Sequence, residues 1–148
     1  MKRILPLVIS ALIPFAAFAA DPAQPPGDQI MRPAGDIELE EFLWTHRPIV
    51  VFADSPADPR FAEQIERLND GIDTLRKRDV VILTDTDPGA ASPARKKLRP
   101  RGFMLVLIDK DGGIKLRKPS PQTVREITRT IDSTDSRKRE VEERRGQQ

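Results

Sequence analysis

The stretch that decides the fold is IVVFADSPADPRFAEQ, residues 49–64. Its first four residues are apolar and mostly β-branched, a pattern typical of a strand that is covered on both faces. A polar, proline-rich segment follows, and the apolar residues then recur at helical spacing. The strand should therefore be central in a sheet. Because α/β proteins often bind ligands where such a strand ends, the loop after it is the first candidate site.

The residues on either side predict a right-handed βαβ unit. Asp36 is a plausible N-cap for a short helix that stops before Pro48. Residues 80–83 form a second apolar run, and the helix between the two runs makes the strands parallel. That helix is predicted from apolar residues spaced 4, 3, 4 and 3 apart: Phe61, Ile65, Leu68, Ile72 and Leu75.

The second half of the domain predicts a hairpin and a closing helix. A short helix is expected at residues 93–98, and an apolar strand at 103–108. Lys110-Asp111-Gly112-Gly113 suits a tight turn, and residues 114–117 alternate apolar and basic side chains. The last helix is expected to begin with Ser120 as its N-cap. The predicted fold class is α/β, with a central mixed β-sheet made of the βαβ unit and the C-terminal β-hairpin, flanked by helices.

Four segments divide the chain. Residues 1–19 are predicted to be a cleaved signal peptide, because a basic start, an apolar stretch and small residues at the cleavage positions follow one another. A retained membrane anchor is the alternative, but the apolar run is shorter than the roughly 20 residues that span a bilayer. Residues 20–35 are a flexible proline-rich leader, 36–132 the folded domain and 133–148 a charged tail. We therefore expect an exported protein, periplasmic or secreted, with no stable membrane anchor after signal cleavage.

Composition removes several classes of function. The chain has 25 Lys and Arg against 23 Asp and Glu, but Lys2 and Arg3 lie in the predicted signal, so the mature chain is formally neutral. Only Phe103 lies near the basic residues as a platform for base stacking, so nucleic acid is disfavoured as a partner. The chain has no cysteine, which excludes disulfides. No cofactor is predicted.

Two motifs carry a resemblance to a known family. RPIVVFADSPADPRFAEQ at residues 47–64 and GFMLVLIDKDGGIKLR at 102–117, with the Arg/Glu-rich tail, resemble the bacterial domain of unknown function family 4174. This is a group of small exported thioredoxin-like proteins, whose domain is also similar to modules in some secreted animal matrix proteins. The similarity covers residues 42–132. It implies a thioredoxin-like fold, in which the loop after the first core strand has the position of a thioredoxin active site.

The chain departs from a redox-active thioredoxin at two positions. A thioredoxin-like loop needs a thiolate at the helix N-terminus, where backbone N–H groups lower its pKa, and this loop has no cysteine. The proline that precedes the third core strand of thioredoxins is also missing, since the aligned position is near Phe103. Thiol–disulfide exchange and thiol peroxidase chemistry are therefore excluded for this chain.

The loop residues Asp54, Ser55, Asp58 and Arg60 form a candidate site. A nucleophilic Ser55 needs a positioned base, but the only histidine, His46, lies at the other end of the strand, roughly 20 Å away at about 3.3 Å per residue. Helix capping explains the same residues more simply, with Ser55 or, in an alternative register, Asp58 as the cap before a proline. No catalytic residue is assigned.

Two pairs of carboxylates in predicted turns are weaker candidates for a metal site. Asp85 and Asp87, or Asp109 and Asp111, could offer oxygen ligands to calcium or magnesium, but neither stretch has the further ligands of an EF-hand. A turn after a strand accounts for both pairs. His46 is expected to be a surface or capping residue, and no metal site is predicted.

A cluster of positive charge suggests a binding function. If the connection before the third strand folds back beside the hairpin, seven basic residues form one patch: Arg95, Lys96, Lys97, Arg99, Arg101, Lys115 and Arg117. Such a patch suits an anionic partner such as a phosphate-bearing envelope polymer. The alternative is solvated charge that is balanced by Asp and Glu.

Two functions remain open from the sequence. The first, which we favour, is a noncatalytic thioredoxin-like interaction module that binds an unknown macromolecular partner, for example an anionic envelope component. The second is a cysteine-independent enzyme, or a binder of a small ligand or metal, that uses the acidic loop at residues 54–60.

Overall fold

Strand β2, Arg47–Phe52, lies in the middle of a five-stranded mixed sheet. The structure is a computed structural model that describes residues 29–148. β2 is parallel to β3, Val80–Asp85, and antiparallel to β4, Met104–Ile108. At the edges, β5, Ile114–Lys118, is antiparallel to β4, and β1, Met31–Pro33, is parallel to β3. All of β2 is buried, which confirms the central strand predicted from its apolar run.

Helices cover both faces of the sheet. The described residues form the 3₁₀ turns Leu39–Phe42 and Pro88–Ala90 and the helices α1, Pro59–Asp70; α2, Ile72–Arg76; α3, Pro93–Leu98; α4, Val124–Asp132; and α5, Asp135–Gly146. One face of the sheet, with Ile49 and Val51 of β2, packs against α1, α2 and α4, and the other, with Val50 and Phe52, packs against α3 and the 3₁₀ turn Leu39–Phe42. The strand therefore divides its side chains between two apolar clusters, as a period of two requires.

The single helix predicted over residues 61–75 is two helices, α1 and α2, which meet at Gly71. A Cβ atom at Gly71 would lie 2.6 Å from Cγ2 of Val124 in α4. Only glycine therefore leaves room for α4 here, although glycine costs about 1 kcal/mol relative to alanine inside a helix.

The structure corrects both predicted boundaries of the domain. The flexible leader predicted at residues 20–35 includes strand β1, whose backbone pairs with β3, and Ala34 directly after it is fully buried. The charged tail predicted at residues 133–148 contains the helix α5, which the ion pair between Glu140 and Arg47 of β2 joins to the domain. The predicted signal peptide at residues 1–19 lies outside the described residues. Within residues 29–148, no helix has both the length and the apolar character needed to cross a bilayer.

Other predicted elements are confirmed or begin at a different residue. Helix α3 and the hairpin of β4 and β5 are confirmed. The cap of α4 is Thr123 rather than Ser120, because the Thr123 hydroxyl accepts from the Glu126 N–H at 3.2 Å and the Glu126 carboxylate accepts from the Thr123 N–H at 2.8 Å. The 3₁₀ turn begins after Glu38 rather than Asp36.

Candidate functional site

The loop between β2 and α1 is built by helix capping. The Asp58 carboxylate accepts from the backbone N–H of Arg60 at 2.9 Å, and Pro59 occupies the first position of α1. Ser55 forms a local turn instead, because its hydroxyl accepts from the Ala57 N–H at 3.1 Å. Of the two registers left open by the sequence, the structure has the one in which Asp58 is the cap.

Arg60 and Asp58 form an ion pair across the start of α1. The Arg60 guanidinium donates to the Asp58 carboxylate at 2.8 and 3.1 Å, and this hydrogen bond lowers the pKa of Asp58 below its ordinary value. The guanidinium carbon of Arg60 also lies 5.6 Å from the centre of the Phe103 ring. Phe103 is near the position aligned with the proline of thioredoxins. The candidate residues Asp58 and Arg60 are therefore engaged with each other, while Asp54 and Ser55 are exposed.

A buried polar cluster lies where β2 and β3 end. Asp85 is 7% exposed and accepts from the Ser92 hydroxyl at 2.5 Å and from the Arg95 guanidinium at 3.0 Å. Burial raises the pKa of Asp85, but hydrogen bonds from Arg95, Ser92 and the Asp87 N–H outweigh it, and the pKa is lowered. Arg95 also donates to the Ala53 carbonyl at 3.0 Å, which joins the ends of the two strands. Both oxygens of the Asp85 carboxylate accept hydrogen bonds and the carboxylate stays ionised. The cluster is therefore suited to holding the ends of β2 and β3 together and not to proton transfer.

The predicted basic patch divides into three parts. Arg95 is turned inward to Asp85, and Lys97 pairs with Glu40, so neither is a free surface charge. Lys115 lies at the turn end of β5, in a groove with Trp44. Arg117 does reach the connection, since its guanidinium donates to the Arg99 carbonyl at 3.3 Å. We call the exposed residues at this end the basic surface: Lys96, Arg99, Arg101 and Arg117.

A second polar cluster lies at the opposite end of β2, and the sequence did not indicate it. Arg47 is only 1% exposed. Its guanidinium donates to Asp109 at 2.9 Å, to Glu140 at 2.8 Å and to the Ser136 hydroxyl at 3.0 Å. Lys110 donates to Glu140 at 2.9 Å as well. We call this set the Arg47 cluster; it joins β2, β4 and α5.

The pKa of Glu140 predicts a pH dependence of stability. Burial raises this pKa, but hydrogen bonds from Arg47, Lys110 and Arg137 outweigh it and lower the pKa to about 2 from 4.5. Because the unfolded chain binds the proton at higher pH, Glu140 stabilises the fold above about pH 5, and the contribution is lost as the pH falls to about 2. Glu140→Gln should therefore be less stable than the parent near neutral pH, with the difference shrinking in acid. Urea denaturation across this range measures it, and a difference independent of pH would contradict it.

The carboxylates considered as metal ligands take part in turns or ion pairs. Asp87 accepts from the Gly89 N–H at 3.0 Å and Asp111 from the Gly113 N–H at 2.8 Å, as in the turns predicted for both. His46 is exposed and lies edge-on to the Phe42 ring, at the end of β2 away from the loop. In the part of the chain that the structure describes, no three His, Cys, Asp or Glu side chains are grouped as a metal site would need.

Comparison with known proteins identifies a family and a related fold. Residues 38–140 match the model of a family described as Domain of unknown function (DUF4174). No curated protein matches the chain. Among solved structures, the reduced 2-Cys peroxiredoxin of Plasmodium vivax is 16% identical with a TM-score of 0.53, over 64% of this chain and 80% of that one. Prx1a of Plasmodium yoelii is 18% identical with a TM-score of 0.49, over 64% and 76%.

The sheet order, the helix that begins after the central strand and the match to the vivax structure define a thioredoxin-like fold, here in a chain without cysteine. At this identity the likeness to peroxiredoxins concerns the fold alone. The family match covers well over half of the sequence, and the protein belongs to the DUF4174 family.

Proposed function

We propose that this protein is a noncatalytic binding module of thioredoxin-like fold, exported to the periplasm or the exterior, and that its basic surface binds an anionic polymer of the envelope. One observation carries the proposal: the guanidinium of Arg117 meets the Arg99 backbone, which brings the charges of β5 and of the connection to one exposed place. None of the four residues of the basic surface forms an ion pair within residues 29–148.

The loop after β2 supports the same proposal. It lies where thioredoxin-fold enzymes hold a reactive thiol, and in this chain Asp58 caps α1 and pairs with Arg60. Asp58 and Arg60 therefore make their hydrogen bonds within the loop, and no observation favours a substrate or a metal there. Binding by the surface is therefore the function that we infer.

An anionic polymer is the partner that fits the basic surface. Four exposed cations without local acidic partners create a positive potential that attracts a chain of phosphate or carboxylate groups. Because the charges are exposed, salt should screen the attraction within a Debye length of about 8–10 Å at physiological ionic strength. The interaction should therefore be strong at low salt and weak at high salt.

Retention on a phosphate-bearing resin tests the proposal. We expect the protein without residues 1–19 to bind at low salt and to elute in a salt gradient, and the variant with Lys96, Arg99, Arg101 and Arg117 changed to glutamine to elute at clearly lower salt. A matched control removes four exposed charges elsewhere, at Lys77, Arg125, Arg129 and Arg145.

The control separates a defined surface from net charge. If the proposal is right, the control elutes close to the parent, although it has lost as much charge as the first variant. If both variants elute together, retention depends on net charge alone and the basic surface has no special role.

A further inference from the structure

Trp44 is displayed to solvent in a backbone conformation that does not suit it. Its side chain is 73% exposed, and its φ is +65°, in the left-handed region that bulky residues rarely adopt. The Trp44 N–H donates to the Lys110 carbonyl at 2.8 Å, which fixes the residue beside the hairpin turn. A position with positive φ favours glycine or asparagine, and a tryptophan there contributes little packing in return. Strain of this kind at an exposed aromatic residue points to a function.

Other exposed apolar residues lie at the same end of the domain. Within residues 29–148 the large hydrophobic side chains that are exposed are Trp44, Leu43 at 36% and Ile114 at 50%. Leu43 packs on the hairpin turn, where its Cδ2 would lie 3.1 Å from a Cβ at Gly112, and Ile114 is the first residue of β5 after that turn. Exposed apolar residues gathered in one place mark a binding surface more often than scattered ones do.

Trp44 borders a groove between the hairpin turn and α5. The groove has a volume of about 400 Å³, in the range of sites for small ligands. Its floor is the Arg47 cluster, through Asp109, Ser136 and Glu140. Its walls carry charges of both signs: Lys115, Arg139, Asp111, Asp135 and Glu143. We call it the Trp44 groove.

We propose that the Trp44 groove binds an oligosaccharide, with a sugar ring stacked on the Trp44 indole and its hydroxyls bonded to the charged walls. The faces of a sugar ring present C–H groups, which pack on an aromatic ring, while its hydroxyls both donate and accept hydrogen bonds. Lys115 and Arg139 are donors, and the three wall carboxylates are acceptors. An uncharged ligand of mixed donors and acceptors uses all of them.

Charge argues against other occupants of the Trp44 groove. An anionic lipid surface would meet Asp111, Asp135 and Glu143, and a cationic peptide would meet Lys115 and Arg139, so each would place like charges together. The groove is also separate from the basic surface, since the two lie at opposite ends of β4 and β5. The inference therefore goes beyond the proposed function and does not depend on it.

The fluorescence of Trp44 offers a direct test. The chain has one tryptophan and no tyrosine, so indole emission reports on this residue alone. We expect cellotetraose or chitotetraose to change the emission in a saturable way when titrated into the protein without residues 1–19. No saturable change with either sugar would overturn the proposal. So would a response to phosphatidylglycerol vesicles alone, which would assign the groove to a membrane, or a concentration-dependent change without ligand, which would assign it to a second copy.

Two variants separate binding from folding. Trp44→Asn removes the stacking ring and suits a positive φ, so its Tm should equal or exceed that of the parent, while its affinity for the sugar, measured by calorimetry, falls about tenfold or more. Trp44→Phe, which keeps a smaller ring, should retain part of the affinity. A large drop in Tm for Trp44→Asn would show a packing role and overturn the proposal.

Substitution of the cationic walls completes the test. Changing Lys115 and Arg139 to glutamine should weaken sugar binding, whereas the same change at Arg125 and Arg129, outside the groove, should leave it unaffected. Equal weakening by both pairs would contradict binding in the groove. Loss of resin retention in the Lys96, Arg99, Arg101 and Arg117 variant, with sugar binding intact, would support two separate surfaces.

Discussion

Replacing Arg47 with alanine is expected to lower the free energy of unfolding by about 3–5 kcal/mol, the cost typical of removing one partner from a buried ion pair. Arg47 is almost fully buried, and its guanidinium satisfies Asp109 and part of Glu140. Without Arg47, Asp109 remains buried but loses its ion pair, so the cost of desolvating its charge is no longer offset. The truncated side chain also leaves a cavity where α5 meets the sheet.

Chemical denaturation of the parent and two arginine variants measures this effect. Arg76→Ala is the matched control, because Arg76 is exposed and lies 3.4 Å from Asp73, so its loss should change stability by no more than about 0.5 kcal/mol. Arg47→Lys should fall between Arg47→Ala and the parent, since an ammonium keeps the charge but lacks the planar fork of donors. Similar midpoints for the alanine variants of Arg47 and Arg76 would contradict a structural role of the Arg47 cluster.

The sequence was sufficient for the parts of the fold that local patterns control. The apolar run of β2, the spacing of apolar residues in α1 and the glycines of the hairpin turn each reflect contacts within a few residues, and the structure confirms these elements. Strand β1 was missed because MRP has no strand pattern of its own. It is ordered by pairing with β3, far along the chain.

The Arg47 cluster could not be predicted from the sequence, because its members are far apart along the chain. Asp109 and Glu140 lie 62 and 93 residues from Arg47 along the chain, so no spacing in the sequence connects them. An arginine before a proline at the start of an apolar strand is expected to be solvated, and a helix rich in Arg and Glu is expected to be a polar tail. Only the fold brings the three charges together.

Arg95 does not belong to the predicted basic patch, for a related reason. A run of charged residues predicts an exposed surface, but consecutive residues of α3 point in different directions, and Arg95 faces Asp85 while Lys96 faces solvent. The Ser92 hydroxyl, which caps α3, also donates to Asp85, so this end of the helix faces the interior. Capping at this loop could be predicted, because it depends on neighbouring residues only, but the sequence left two registers open, with Ser55 or Asp58 as the cap, and the structure has Asp58.

Removing helix α5 should have the second large effect on stability. A chain that ends at Thr134 lacks Ser136 and Glu140, which take three of the hydrogen bonds of Arg47, and leaves the cation with Asp109 and the Arg78 carbonyl. We expect the free energy of unfolding to fall by about 2–3 kcal/mol. The loss should be smaller than in Arg47→Ala, because water can reach the guanidinium once the helix is gone.

A chain that ends at Glu142 is the control for this truncation, because it keeps Glu140 and loses only the last, exposed residues of α5. Its urea midpoint should stay close to that of the parent, because residues 143–148 are exposed and Glu140 keeps its hydrogen bonds with Arg47. If the two truncated chains unfold together, α5 stabilises the domain by something other than the Arg47 cluster. A helix with no buried residue can stabilise the fold only through its polar contacts. If neither truncated chain differs from the parent in its urea midpoint, the ion pairs of α5 are too weak to measure and α5 is the polar tail that its composition suggests.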